Sequence, residues 1–198
     1  MIRGDINPEE LRLDEDLTKL WKQLQRLHYE LRDYTRRKYS RVNPFVEDLF
    51  EWKEKGRFLG GKNITIYDSV NITGDVKIGD NTWIGPFSSL DGSGGLTIGA
   101  YCAISTGVRI LTHDTIKWSL SGGKAAYERS PVVIGDYSFI GVESVVTRGI
   151  TIGRHCLIGA NSVVTKDIPD CSIAAGSPAQ IIGRVEIDDS GVNLHYFR

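Results

Sequence analysis

The chain has 198 residues, a formal net charge of −1 at pH 7, 40% apolar residues and 22 glycines. A near-neutral balance gives no case for nucleic acid or an anionic membrane as partner, and no run of about 18 apolar residues suggests a membrane span. There is no signal-like start, the three cysteines are an odd number, and Cys102 and Cys156 fall at positions read below as interior, where a small hydrophobe is expected over a disulfide or metal role, so a reducing cytoplasm is expected.

Residues 1–60 read as a helical segment. Asn7, Pro8 and Glu10 have the pattern of an N-cap, a first-turn proline and a capping-box acid. Asp14, Glu15 and Asp16 are predicted to open a helix again. Leu17, Leu20, Leu24, Leu27, Leu31 and Tyr34 then recur at intervals of three and four, a helical stripe. Arg36, Arg37 and Lys38 suit the negative end of its dipole. Asn43 and Pro44 predict a second helix through Trp52, with Gly56 at its end. The stripe is short for a free coiled coil. A helical cap that packs on its own chain or on a neighbouring subunit is expected.

Residues 61–185 follow a different rule. Ile66, Ile72, Ile78, Ile84 and Leu90 are spaced by six, as are Ile98, Ile104 and Ile110, and then Ile134, Ile140, Val146, Ile152, Ile158 and Val164. Period six is neither that of a helix nor that of a strand, so this is an internal repeat. The residue two before each rung shares its face, because side chains alternate along a strand. Those partners, from Ile64 and Val70 to Cys156 and Ser162, are small or aliphatic, as a narrow interior requires. Cys102 and Cys156 are therefore read as small interior hydrophobes. A glycine follows the rung at 79, 85, 99, 135, 141, 153 and 159, which suits a corner where a Cβ would be strained. One short strand per hexad, turned at each corner and stacked coil on coil, predicts a parallel β-helix.

Two insertions interrupt the ladder. Between Leu90 and Ile98 the extra length falls in Asp91-Gly92-Ser93-Gly94-Gly95, read as a bulged corner and not as a phosphate loop. Between Ile110 and Ile134 a protruding loop, 111–131, carries His113, Asp114, Trp118, Tyr127 and Glu128. Loops of this length in compact repeats are often functional. Residues just before the rungs should face outward. In the second half these include Val133, Phe139, Val145, Leu157 and Val163, too many apolar groups to leave exposed together. A second copy of the chain is the expected cover. After Val164 the rhythm fails at Asp170 and Gly176. The last coil should finish by Arg184, and 186–198 is a tail.

Of the four histidines, His28, His155 and His195 read as surface or packing residues. His113 stands where the chain leaves the repeat, followed by Asp114. Acyl transfer needs a base for the attacking group's proton, and imidazole suits that role near neutrality. Asp114, or a backbone carbonyl, is the candidate to orient the ring. No Gly-x-Ser-x-Gly elbow is present, so direct transfer is favoured over a covalent intermediate. Trp83, Trp118 and Tyr127 offer aromatic faces for a sugar or a base, or for packing.

The ladder resembles the hexapeptide-repeat acyltransferase family over roughly residues 62–185. The resemblance implies a left-handed parallel β-helix with three hexads per coil, acetyl-coenzyme A as co-substrate, no metal, and a homotrimer with active sites between subunits. It places His113 at the family's catalytic histidine. The run Ile158–Gly159–Ala160–Asn161–Ser162–Val163–Val164–Thr165–Lys166–Asp167–Ile168–Pro169 is similar to the coenzyme-binding end of the sugar acetyltransferases, which implies coenzyme contacts at Gly141, Ala160, Thr165 and Lys166. Val142 and Phe139 depart from the polar residue and tryptophan common in relatives. With three hexads per coil, Arg148, Lys166 and Arg184 stack 18 apart, a candidate cationic row for the coenzyme's phosphates. The segments around 90–96, 113–114 and 118–123 look like surface-polysaccharide or nucleotide-sugar acetyltransferases more than maltose or galactoside enzymes. Acetylation of a hydroxyl or amine on a sugar, nucleotide sugar or polysaccharide unit is expected. The alternatives are a streptogramin-type xenobiotic acetyltransferase and a non-catalytic repeat protein.

Overall fold

A computed structural model describes residues 13–42 and 55–197, in two compact units, Met1–Phe50 and Glu51–Arg198. The capping pattern at Asn7–Glu10 and the helix predicted from Asn43 to Trp52 lie outside the described residues.

In the first unit, helix α1 spans Glu15–Tyr39. The Asp14 carboxylate caps it, accepting the Leu17 amide at 2.8 Å. Glu15 and Asp16 in the first turn and Arg36, Arg37 and Lys38 in the last complement the dipole, and Ser40 ends the helix in the left-handed conformation. The leucine stripe largely stays open: Leu17, Leu20, Leu24, Leu27 and Tyr34 are exposed, while Thr35 is buried. Gly56 lies inside a 3-10 turn, Lys55–Leu59, at the start of the second unit.

The second unit is the predicted parallel β-helix. Every rung is buried except Ile72, which is half-buried at the first coil, and every interior partner from Ile64 to Ser162 is buried. Burying one such isoleucine contributes about 1.5–3 kcal/mol, so the ladder is the main source of stability. The polar partners are satisfied between coils: the Thr82 hydroxyl donates to the Gly99 carbonyl at 2.8 Å, Ser138 to Gly153 at 2.9 Å and Ser144 to Gly159 at 2.9 Å. Cys102 and Cys156 are buried, and burial pushes both thiols up.

Three faces build the coils. The first runs through Thr65–Ile66, Trp83–Ile84, Ala103–Ile104, Phe139–Ile140 and Leu157–Ile158 in parallel register. The strands Asn71–Ile78 and Ser89–Ile98 pair with each other and turn a corner. Their first halves lead to a second face with Arg109–Ile110, Val145–Val146 and Val163–Val164. Their second halves lead to a third with Val132–Ile134 and Thr151–Ile152.

The glycines serve a purpose other than the one expected. The left-handed corner residues lie three past a rung: Asn81, Phe87, Tyr101, Tyr137, Glu143, His155 and Asn161, with φ between 54° and 61°, and Gly107 and Gly149, with φ of 70° and 78°. The glycine just after the rung is instead crossed by the next coil. A Cβ on Gly135 would lie 2.7 Å from the Arg154 amide nitrogen, and one on Gly141 2.5 Å from that of Ala160.

The C-terminal end is a hairpin. Ser172–Gly176 continues the first face, with Leu157 opposite Ile173. The chain then reverses through Ala179–Asp188 and Gly191–Tyr196, both antiparallel, so one strand crosses the expected boundary between coil and tail. No helix among the described residues is long and apolar enough to cross a membrane.

Candidate active site

The two insertions meet. Leu90 and Ile110 are register partners on adjacent coils, so the residues that follow each rung leave at one corner. The first insertion carries Asp91 and the second carries His113. The Asp91 carboxylate accepts the His113 Nδ1 at 2.6 Å. The same oxygen accepts the Thr112 amide at 2.8 Å and the Thr112 hydroxyl at 3.1 Å. Its other oxygen accepts the Ser93 amide at 2.9 Å. The Thr112 hydroxyl in turn accepts the Gly94 amide at 2.8 Å, and Ser93 Oγ lies 3.0 Å from His113 Nδ1.

Asp91 is buried, and burial by itself pushes a carboxyl up. The hydrogen bonds from the Ser93 and Thr112 amides, the His113 ring and the Ser93 hydroxyl outweigh burial and hold the group well below the usual carboxylate range. An ionised Asp91 accepts only, so in the neutral ring the proton sits on Nδ1 and the lone pair on Nε2. The imidazole side chain is 38% accessible.

Asp114 does not orient this ring. Adjacent residues of a strand point to opposite sides, and the Asp114 carboxylate turns to Arg148, whose guanidinium holds it low. That ion pair also corrects the expected role of Arg148. The guanidinium bonds Asp114 through Nε and Glu128 through Nη2 at 2.9 Å, so it is committed to the loop. Arg184 leaves the proposed row as well: after the chain reversal it pairs opposite Ser172, on the sheet of the first face. Thr165 and Lys166 follow Val164, the register partner of Val146, so they sit one coil beyond Thr147 and Arg148 at the corner where the loop emerges. Both are exposed.

Gly141 and Ala160 lie at the other edge of the second face, Gly141 buried and Ala160 exposed. Trp118, in the short helix α2, Ile116–Leu120, and Tyr127, beyond the turn after it, meet edge to face, ring centroids 5.6 Å apart. Trp83 is on the first face, edge-on to Tyr67 at 5.9 Å, and within one chain is not brought to His113. Asp91, Ser93 and Thr112 are the residues that sequence reasoning missed. The available signal was register: both insertions start right after rungs that stack.

Residues 131–166 match a family described as the hexapeptide repeat of succinyl-transferase. The chain is 35% identical over 133 residues to WcaF of Escherichia coli (strain K12), named as a colanic acid biosynthesis acetyltransferase, covering 65% of this chain and 70% of that protein. A maltose O-acetyltransferase from Clostridium difficile 630 superposes with a TM-score of 0.60 at 28% identity, covering 87% of this chain and 90% of that one. A hexapeptide-repeat acetyltransferase from Vibrio cholerae O1 biovar eltor, complexed with acetyl coenzyme A, shares the fold with a TM-score of 0.64 at 23% identity, covering 86% and 90%.

Proposed function

Since this chain belongs to the hexapeptide-repeat acetyltransferases, we propose that it moves an acetyl group from acetyl-coenzyme A directly to a hydroxyl of a sugar, nucleotide sugar or polysaccharide unit, with His113 as general base. The observation that carries this reading is the Asp91–His113 contact at 2.6 Å, which fixes the ring through Nδ1 in a side chain that is 38% accessible. His113 takes the acceptor's proton as the acceptor oxygen bonds to the acyl carbon. It then returns that proton to the departing thiolate. Asp91 holds the tautomer and balances the imidazolium in between. A base so placed contributes on the order of 10²- to 10⁴-fold.

Lys166, exposed at the same corner as the loop, is the proposed partner for the coenzyme's phosphates, with Thr165, Gly141 and Ala160 along the coenzyme's path. Trp118 and Tyr127, both partly exposed in the loop, are the proposed acceptor contacts. A homotrimer is proposed as the working form, because Val133 and Phe139 are 39% and 45% exposed in the single chain and a symmetric neighbour would cover them. Two buried thiols support the cytoplasm as its compartment.

Incubation with acetyl-coenzyme A and a panel of sugars, nucleotide sugars and drug-sized alcohols tests this. Free thiol released only with a sugar-bearing acceptor supports the reading. Release only with drug-sized alcohols would replace it with a xenobiotic acetyltransferase.

A further inference from the structure

The loop that carries His113 has a stem of two antiparallel pieces, with His113 opposite Arg129 and Asp114 opposite Glu128. Neither piece is longer than two residues. Two such residues form too few backbone bonds to hold themselves. Arg148, on the following coil, reaches both. Its Nε bonds Asp114 on one strand, its Nη2 bonds Glu128 at 2.9 Å on the other, and its Nη1 lies 3.5 Å from the Ser130 hydroxyl. All three charged side chains are partly sheltered, 25–31% accessible. Lys117 on α2 closes the set, bonding the other Glu128 oxygen at 2.8 Å.

We propose that Arg148 is a positioning residue for the transfer reaction, a two-armed clamp that fixes the loop stem and so holds His113 against Asp91. The inference rests on His113 being the base, and gives the neighbouring carboxylate Asp114 a mechanical task. Arginine is required because its planar fork engages two carboxylates in fixed directions, which an ammonium cannot do. The clamp acts across coils, 34 residues from Arg148 to Asp114, so the β-helix itself is the reference against which the base is set. A displacement of about 1 Å at a reacting group costs on the order of 10²-fold.

The test compares His113→Ala, Arg148→Ala, Arg148→Lys and the Asp114→Asn/Glu128→Gln double variant in the full chain. The clamp predicts that Arg148→Ala lowers kcat on the order of 10- to 100-fold while KM for acetyl-coenzyme A stays put. Arg148→Lys restores little, and added guanidinium ion restores part of kcat in Arg148→Ala. If Arg148→Ala does not fold, the double variant, which keeps the guanidinium and removes both carboxylates it grips, must show the same loss in kcat. Unchanged kcat in Arg148→Ala, or a rise in coenzyme KM with kcat kept, would overturn the clamp while leaving the base in place. Full activity in His113→Ala would instead overturn the reading of the site on which the clamp rests.

Discussion

Asp91 and His113 are 22 residues apart in the chain and 2.6 Å apart in space. Each stands in an insertion that breaks a six-residue rhythm, and the parallel register of Leu90 with Ile110 brings the two insertions to one corner. The repeat thus makes a rigid frame, and the departures from it make the site.

Replacing Asp91 with asparagine should lower kcat on the order of 10²-fold. An amide can donate to Nδ1 and so favour the tautomer with the proton on Nε2, the wrong nitrogen for a base. Steady-state rates at saturating acetyl-coenzyme A read this directly. A rate within about threefold of the parent would show that a backbone group or solvent can orient the ring as well.

The same carboxylate links stability to pH. Its folded pKa is depressed, so its contribution is fully present above the unfolded value, about 3.9, and is lost as pH falls below that. Thermal melts should therefore show the parent above Asp91→Asn at pH 7 and 5, with the gap closing below about pH 4. A gap that persists unchanged to about pH 3 would mean the charge is not what the folded state uses.

Gly141→Ala tests how the coils stack. The added methyl would lie 2.5 Å from the Ala160 amide nitrogen, a backbone atom that cannot swing away. Overpacking of this kind costs about 1–3 kcal/mol, visible as a lower Tm. An unchanged Tm would show that the coils have slack at that edge.

Much of this fold was legible because period six leaves little room for another architecture. Ile84, Leu90, Ile104 and Val146 could be assigned to the interior from spacing alone, and all are fully buried. The corner glycines were found for a reason only half right: spacing marks the corner, but the close approach of Ala160 to Gly141 is a relation between coils. His113 was visible because it starts the long loop. Asp91 was not, because a five-residue glycine-rich insertion reads as a bulge until register sets it beside residue 112. Arg184 misled for the opposite reason. The 18-residue rule ends where the chain reverses into a hairpin, before Arg184.

Lys166→Ala should act on coenzyme binding. An exposed ammonium facing a phosphate is worth about 1 kcal/mol or less, so KM for acetyl-coenzyme A should rise by up to about fivefold, with the difference shrinking at high salt. Unchanged KM at low salt would remove Lys166 from the coenzyme's path.

Whether His113 is the base is read from the turnover of His113→Ala, measured as free thiol released from acetyl-coenzyme A with a sugar acceptor, beside coenzyme affinity by calorimetry. With His113 as the base, kcat falls at least about 10²-fold with coenzyme affinity retained. A variant that binds coenzyme and turns over at the parent rate would contradict it.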